Sequence, residues 1–201
     1  VAIGILGAGN LSLLFSVVTV ILLETDLDGT LRRKRMEKTI KKLKGHYILC
    51  GFGRVGRNIG RELEATNRHY VAIDEDLDRI LEYREKNPGL LYLHGDASDD
   101  DTLLAADIED AKGVFAITGD DSRNLMIVIT AKQLKPTIRV VARCQEQRNI
   151  EKMRKAGADA IVSPDFTGGM RIASAMVRPH VVSFLDEMLR TEHKLRIEEV
   201  A

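Results

Sequence analysis

HYILCGFGRVGRNIGRELEATNRHYVAID, His46 to Asp74, is the stretch from which the fold is read. Tyr47 to Cys50 is a short apolar strand that feeds Gly51-Phe52-Gly53-Arg54-Val55-Gly56. Behind it Val55, Ile59 and Leu63 recur every four residues with Arg57, Asn58, Arg61 and Glu62 between them, the pattern of an amphipathic helix. Tyr70 to Ile73 is a second strand and ends on Asp74. Strand, G-x-G-x-x-G, helix, strand, acid is the order that sets a pyrophosphate on a helix N-terminus and a ribose against a carboxylate. Three glycines alone are weak evidence. The strand before them, the helix after them and an acid 21 residues beyond Gly53 make the pattern specific. The competing reading is a βαβ unit whose glycines serve only close strand–helix packing.

The rhythm continues down the chain. Leu77 to Arg84 reads as helix, broken at Asn87-Pro88-Gly89, and Leu90 to Leu93 as a third strand. Asp99 to Ala106 is helical, Val114 to Thr118 a fourth strand, and Arg123 to Leu134 a helix stopped near Pro136. Ile138 to Ala142, Glu146 to Ala156 and Ala160 to Val162 follow as strand, helix and strand, the last halted by Pro164. Alternating β and α with nearly continuous apolar strands means a parallel sheet covered on both faces. The fold class expected is therefore α/β, a Rossmann-like doubly wound parallel sheet of order 3-2-1-4-5-6, with its ligand crevice at the strand C-termini.

The chain has 201 residues, 44% apolar and 30% charged, with a formal net charge of zero. That is a globular composition. The charge is unevenly placed: residues 1–45 hold eight Lys/Arg against four Asp/Glu, so the remainder is slightly acidic. Nothing in it suggests a nucleic-acid partner. Cys50 and Cys144 lie in apolar strand-like runs and read as reduced core residues. Val1 to Leu23 is free of charge and carries 14 Val, Ile, Leu or Phe. As a helix it would span roughly 35 Å, so one transmembrane helix is expected ahead of the sheet. The eight basic residues between Arg32 and Lys44 would put the following domain in the cytosol. A second glycine turn at Gly7-Ala8-Gly9 could instead open another βαβ unit, but its helix would be only about two turns long. Met36, Ile40 and Leu43 make the basic stretch either a solvated helical linker or a partner-binding amphipathic helix.

Polar residues collect at the strand ends. Asp74 suits both ribose hydroxyls and would repel a 2′-phosphate, which disfavours NADP. Arg54 could reach phosphate oxygens from inside the glycine loop. Asp96 and Thr118 follow strands three and four beside the expected nucleoside, or serve only as turn and cap residues. Asp99-Asp100-Asp101 and Asp120-Asp121 could attract a divalent cation or be solvated helix starts. Catalytic equipment is thin: no Tyr-x-x-x-Lys pair, no metal-ligand spacing, no nucleophile elbow and no P-loop lysine. No catalytic or metal residue is assigned, and the chain is read as a sensor and not an enzyme.

ILCGFGRVGRNIGREL, the acid at Asp74, LHGDASDDDTL, GVFAITGDDSRNL and NIEKMRKAGADAIVSP together resemble the RCK (KTN, Trk-type) domains that regulate potassium channels and transporters. The resemblance runs from His46 to Val200. With the apolar run and basic linker it implies the gating part of a prokaryotic ligand-gated potassium channel, in which 1–23 is the pore-lining inner helix and 24–45 the linker. It further implies a nucleotide-binding lobe over 46–165, crossover and dimerisation helices over 166–195, and the start of a truncated C-terminal lobe over 196–201. No T-V-G-Y-G-like filter occurs. The implied pocket is formed by Gly51, Phe52, Gly53, Arg54, Val55, Gly56, Asp74, Glu75, Asp96, Ala97, Thr118 and Gly119, and would take NAD, ATP, ADP or AMP. Such domains pair through the helices after Pro164, for which Met170, Ala173, Met176 and Val177 give a stripe. They assemble into octameric rings around a tetrameric potassium pore in the plasma membrane. Calcium-gated relatives carry acids at positions that fall here on Arg143 and Gln145, so the resemblance leaves calcium as a further candidate ligand but supports no specific site for it. The alternatives are a peripheral subunit of a Trk- or Ktr-type transporter and a fragment of an NAD-dependent oxidoreductase.

Overall fold

In a computed structural model, residues 27–178 are described. Helix α1 (Leu27–Ile40) leads into strand β1 (Tyr47–Cys50), helix α2 (Arg54–Ala65), strand β2 (Tyr70–Asp74) and helix α3 (Leu77–Lys86). Strand β3 (Leu91–His94), helix α4 (Asp100–Ala105) and a 3-10 turn at Ile108–Asp110 precede strand β4 (Gly113–Ala116). Helix α5 (Asp121–Leu134), strand β5 (Arg139–Arg143), helix α6 (Gln147–Lys155), strand β6 (Ala160–Val162) and helix α7 (Pro164–Val177) complete it. The six strands pair in the order β3-β2-β1-β4-β5-β6, all parallel, as the alternation of elements led us to expect.

Alternate strand residues feed two cores. Ile48, Cys50, Val71, Ile73, Val114 and Val140 face α4, α5 and α6 through Leu103, Ile127, Val128 and Met153. Leu49 and Ala72 turn to the opposite side, against Leu63 of α2 and Ile80 of α3. Each large aliphatic side chain fully removed from water contributes about 1.5–3 kcal/mol. Both cysteines are free and buried, and burial pushes the Cys50 thiol far up, so it behaves as a core residue. His46 is buried at the start of β1, with Nε2 2.8 Å from the Ala106 carbonyl oxygen. The basic stretch is anchored at its end: Ile40 is fully buried, with Met36 and Leu43 packed beside it.

The expected transmembrane helix ahead of the sheet, and with it the attached pore-lining inner helix, is corrected. Among the described residues no helix is long and apolar enough to cross a membrane. Helix α1 has 14 residues and carries Arg33, Lys34, Arg35, Glu37 and Lys38. It is about 21 Å long and charged, against a hydrocarbon layer about 30 Å thick. Val1 to Leu23, on which that expectation rested, lies outside the described residues, as do 179–195 of the crossover region and 196–201. Pro164 also differs in role. It halts β6 but stands at the N-terminus of α7, where a fixed φ and a missing N–H cost nothing.

Two features set the C-terminal edge of the sheet. Gly51 holds a φ of +105°, and a Cβ there would come within 2.9 Å of the Thr118 nitrogen. A Cβ on Gly56 would overlap the Gly51 carbonyl oxygen, so α2 starts directly over the end of β1. Further along, the Asp121 carboxylate accepts from the N–H groups of Gln145 (2.8 Å) and Glu146 (3.0 Å) and from Asn149 Nδ2 (2.9 Å), with Cys144 Sγ at 3.6 Å. It ties the start of α5 to the turn between β5 and α6. Burial alone would raise this carboxyl, but the Asn149 amide, the two N–H groups and the thiol hold it below the usual carboxylate range.

Two outcomes follow for stability. Gly56→Ala costs about 3 kcal/mol in urea unfolding, while Gly53→Ala, with nothing within 4 Å of its Cβ, costs at most about 1 kcal/mol, the difference between Gly and Ala as the N-cap of α2. The folded pKa of Asp121 lies below the unfolded value of about 3.9. Its contribution is therefore full above that value and is lost as the pH falls through the folded one. Asp121→Ala lowers stability by about 1–3 kcal/mol at pH 7, and the difference from wild type narrows below about pH 4 in thermal melts; a pH-independent difference would refute the carboxylate's role.

Candidate functional site

The loops after β1, β2, β3 and β4 open on one cleft of about 1220 Å³. Of the twelve residues expected there, Gly51, Gly53, Arg54, Val55, Asp74, Glu75, Asp96, Ala97, Thr118 and Gly119 line it. Phe52 and Gly56 do not. Phe52 points into the core, edge-on to Tyr83 with ring centroids 5.0 Å apart, and Gly56 is buried under the Gly51 carbonyl.

Helix α2 presents an open N-terminus to this cleft. Its N-cap is Gly53, which supplies no side-chain cap, and no acid stands in its first turn. The first N–H groups of such a helix are an anion site strengthened by the helix dipole. Arg54 is exposed in the cleft wall beside them and forms no ion pair among the described residues.

Asp74 faces the loop from the end of β2 and is only 8% exposed. Its Oδ2 accepts from the Phe52 N–H at 2.5 Å and its Oδ1 from the Asp76 N–H at 2.9 Å. Arg79 Nη1 donates to both oxygens, at 3.0 and 3.1 Å, and its Nη2 pairs with Asp76 at 3.0 Å. The acid is thus fixed in position, with its negative charge shared by Arg79. Glu75 pairs with Arg123 at the start of α5. Asp96 accepts from the Ser98 N–H and hydroxyl at 2.8 and 2.7 Å. Burial would raise the Asp96 carboxyl, but those two hydrogen bonds and the charge of Arg123 hold it below the usual range.

Asn124, fully buried in α5, organises the other wall. Its Oδ1 accepts from both the N–H and the hydroxyl of Thr118 at 2.8 Å. Its Nδ2 donates to the Arg143 carbonyl at 3.0 Å. The Gly119 carbonyl accepts from the Gln145 amide. Arg79, Arg123 and Asn124 were not anticipated. Arg79 sits five residues beyond Asp74, where only helix phasing could have suggested it. The Glu75–Arg123 pair spans 48 residues and leaves no sequence trace.

The acidic runs are helix starts: Asp99 and Asp120 are N-caps, and Asp120 accepts from the Arg123 N–H at 2.8 Å. Among the described residues no group of three or more His, Cys, Asp or Glu is placed to hold a metal ion. The arrangement can seat an anion on α2 and a diol against Asp74.

Comparison with known proteins gives this cleft a lineage. Residues 47–164 match the model of the TrkA-N domain. Potassium channel protein 1 of Methanocaldococcus jannaschii is 40% identical over 166 residues, covering 83% of this chain and 50% of that protein. The chain spans about half the length of the curated relatives it matches. Among solved structures, the TrkA-N domain of the Escherichia coli inner membrane protein ybaL superposes with a TM-score of 0.60 at 27% identity, over 69% of this chain and 98% of that one. The GsuK channel bound to NAD superposes with a TM-score of 0.54 at 25% identity, over 60% of this chain and 21% of that one. The alternative of an oxidoreductase fragment falls with these matches. The chain belongs to the TrkA-N family, a regulatory and non-catalytic domain related to the gating modules of potassium channels.

Proposed function

We propose that the cleft binds an adenine nucleotide, NAD or one of ATP, ADP and AMP, as a regulatory ligand, and that its occupancy gates a potassium-conducting pore. The observation that carries this reading is the uncapped N-terminus of α2 facing the fixed carboxylate of Asp74 across one cleft. Phosphates would lie on the first N–H groups of α2 within reach of Arg54, and ribose hydroxyls would share Asp74 with Arg79. Asp96, Ala97, Thr118 and Gly119 would flank the nucleoside. The NAD-bound GsuK channel, 25% identical, supports the ligand class. The 40% identity to a channel protein favours a channel over a transporter subunit. The domain would then work on the cytoplasmic face of the plasma membrane beside pore subunits that pass potassium. Nucleotide can move such an equilibrium only by binding one domain arrangement more tightly than the other.

Self-association belongs to the same reading. No residue of α7 is buried, and Phe166, Met170, Ile172, Met176 and Val177 are all exposed, Met176 at 85%. An apolar helix face of this kind marks an interaction surface. It suits pairing of two copies, and the pairs would assemble into an octameric ring around a tetrameric pore.

Two measurements test these statements. Gly53→Asp places a carboxylate where the phosphates would lie, and Asp74→Ala removes the ribose acceptor; each weakens binding of NAD and ADP at least about tenfold by calorimetry. Unchanged affinity in both would refute the site. For assembly, Met176→Glu lowers the oligomer mass read by light scattering, and an unchanged mass would exclude α7 as the pairing face.

A further inference from the structure

Helix α1 has one face on the domain and one free. Met36 and Ile40 pack inward, and the helix lies against β3, the edge strand of the sheet. Ile40 comes nine residues after Leu31, half a turn out of phase at about 100° per residue, so the two point to opposite sides. Leu31 is 52% exposed. On its side run Lys34, Arg35 and Lys38, at the i+3, i+4 and i+7 positions that share a helix face. Lys41 and Lys42 continue the row just past the helix.

All five cations are exposed, and none forms an ion pair or side-chain hydrogen bond among the described residues. Their neighbours are engaged: Arg33 pairs with Glu37 at 2.8 Å, and Lys44 with Asp110. The row thus keeps its positive charge, although the chain beyond residue 45 is slightly acidic. From Leu31 to Lys42 it is about 16 Å long.

A row of cations by itself fits any polyanion, and Leu31 decides between them. On a nucleic acid its apolar side chain would lie among phosphates and gain nothing, and α1 carries no aromatic residue to stack on bases. At a bilayer surface the same side chain enters the boundary between headgroups and acyl chains. The lysine and arginine stems beside it reach back up to the headgroups. We propose that the outer face of α1 docks on an anionic lipid surface, with Leu31 at the acyl boundary and the five cations on headgroup phosphates. The helix lies along the surface and does not cross it. Docked, α1 is held twice, by Ile40 in the core and by lipid along its outer face. The proposal rests on the membrane-side location in the reading above and is independent of what fills the cleft.

The chain has no tryptophan, so Leu31→Trp places a single reporter on this face. Its fluorescence is followed in the full chain with vesicles of phosphatidylcholine alone, and with about 30% phosphatidylserine added. Emission shifts to the blue with the anionic vesicles and not with the neutral ones, and about 0.5 M salt reverses the shift. Each basic residue at such a surface is worth about fivefold in partitioning, so adding Lys34→Gln and Lys38→Gln weakens it about twentyfold. Lys152→Gln with Lys155→Gln, an equal loss of charge from exposed positions on α6, leaves it within about twofold. An equal shift with neutral vesicles, equal losses in the two double variants, or no shift with either vesicle overturns the proposal. So does an equal shift with duplex DNA in place of vesicles, which would make α1 a general polyanion face. Calorimetry with NAD on the same samples separates this proposal from the nucleotide reading. NAD bound without a lipid-induced shift sinks the docking face alone, and the shift without NAD binding sinks the nucleotide site alone.

Discussion

The carbonyl oxygen of Gly51 lies against the Cα of Gly56, with no room for a side chain between them. This contact sets α2 directly on the end of β1 and fixes where its free N–H groups point. With the loop drawn in, the Phe52 N–H turns toward β2 and meets Asp74 at 2.5 Å. The Phe52 side chain is thereby sent into the core between α2 and α3. Loop, acid and helix start are one mechanical unit, and the cleft inherits its shape from them. A bulkier residue at Gly56 would move all three together.

Three acids of the cleft already have partners. Asp74 has Arg79, Glu75 has Arg123, and Asp96 has the Ser98 donors. At these acids a ligand exchanges partners with the protein, whereas Arg54 has no ion pair among the described residues. Among the acids that line the cleft, Asp96 is held below the usual carboxylate range by its Ser98 donors and by Arg123, so it keeps its charge at neutral pH.

The strand order was legible because β1 and β2, the glycine loop and Asp74 are contiguous in the chain, and the remaining elements alternate without ambiguity. Helix ends were less so. Pro164 reads as a stop in either direction, and only the following turn reveals that it opens α7. Ten of the expected site residues reach the cleft because strand ends converge there by topology. Phe52 was grouped with them by adjacency, although a residue between two glycines can turn its side chain either way. Asn124 and Arg123 escaped because their partners, Thr118, Arg143 and Glu75, lie on other loops. Periodicity shows which face of α5 is apolar, not which polar residue crosses to a neighbouring strand. The apolar run over 1–23 suggested a span by composition alone, and composition cannot place it in the described structure.

Helix α1 is held to the body of the domain at one end. Ile40 is locked in the core, Met36 lies partly buried a turn earlier, and Leu31 is exposed. Fourteen residues make a rod about 21 Å long whose inner end cannot slip on the sheet. A ten-degree tilt of the sheet, about the scale of known subunit rotations, swings Leu27 through roughly 4 Å. The buried isoleucine thus acts as a fulcrum, turning small angular changes at the sheet into displacement at the far end of α1.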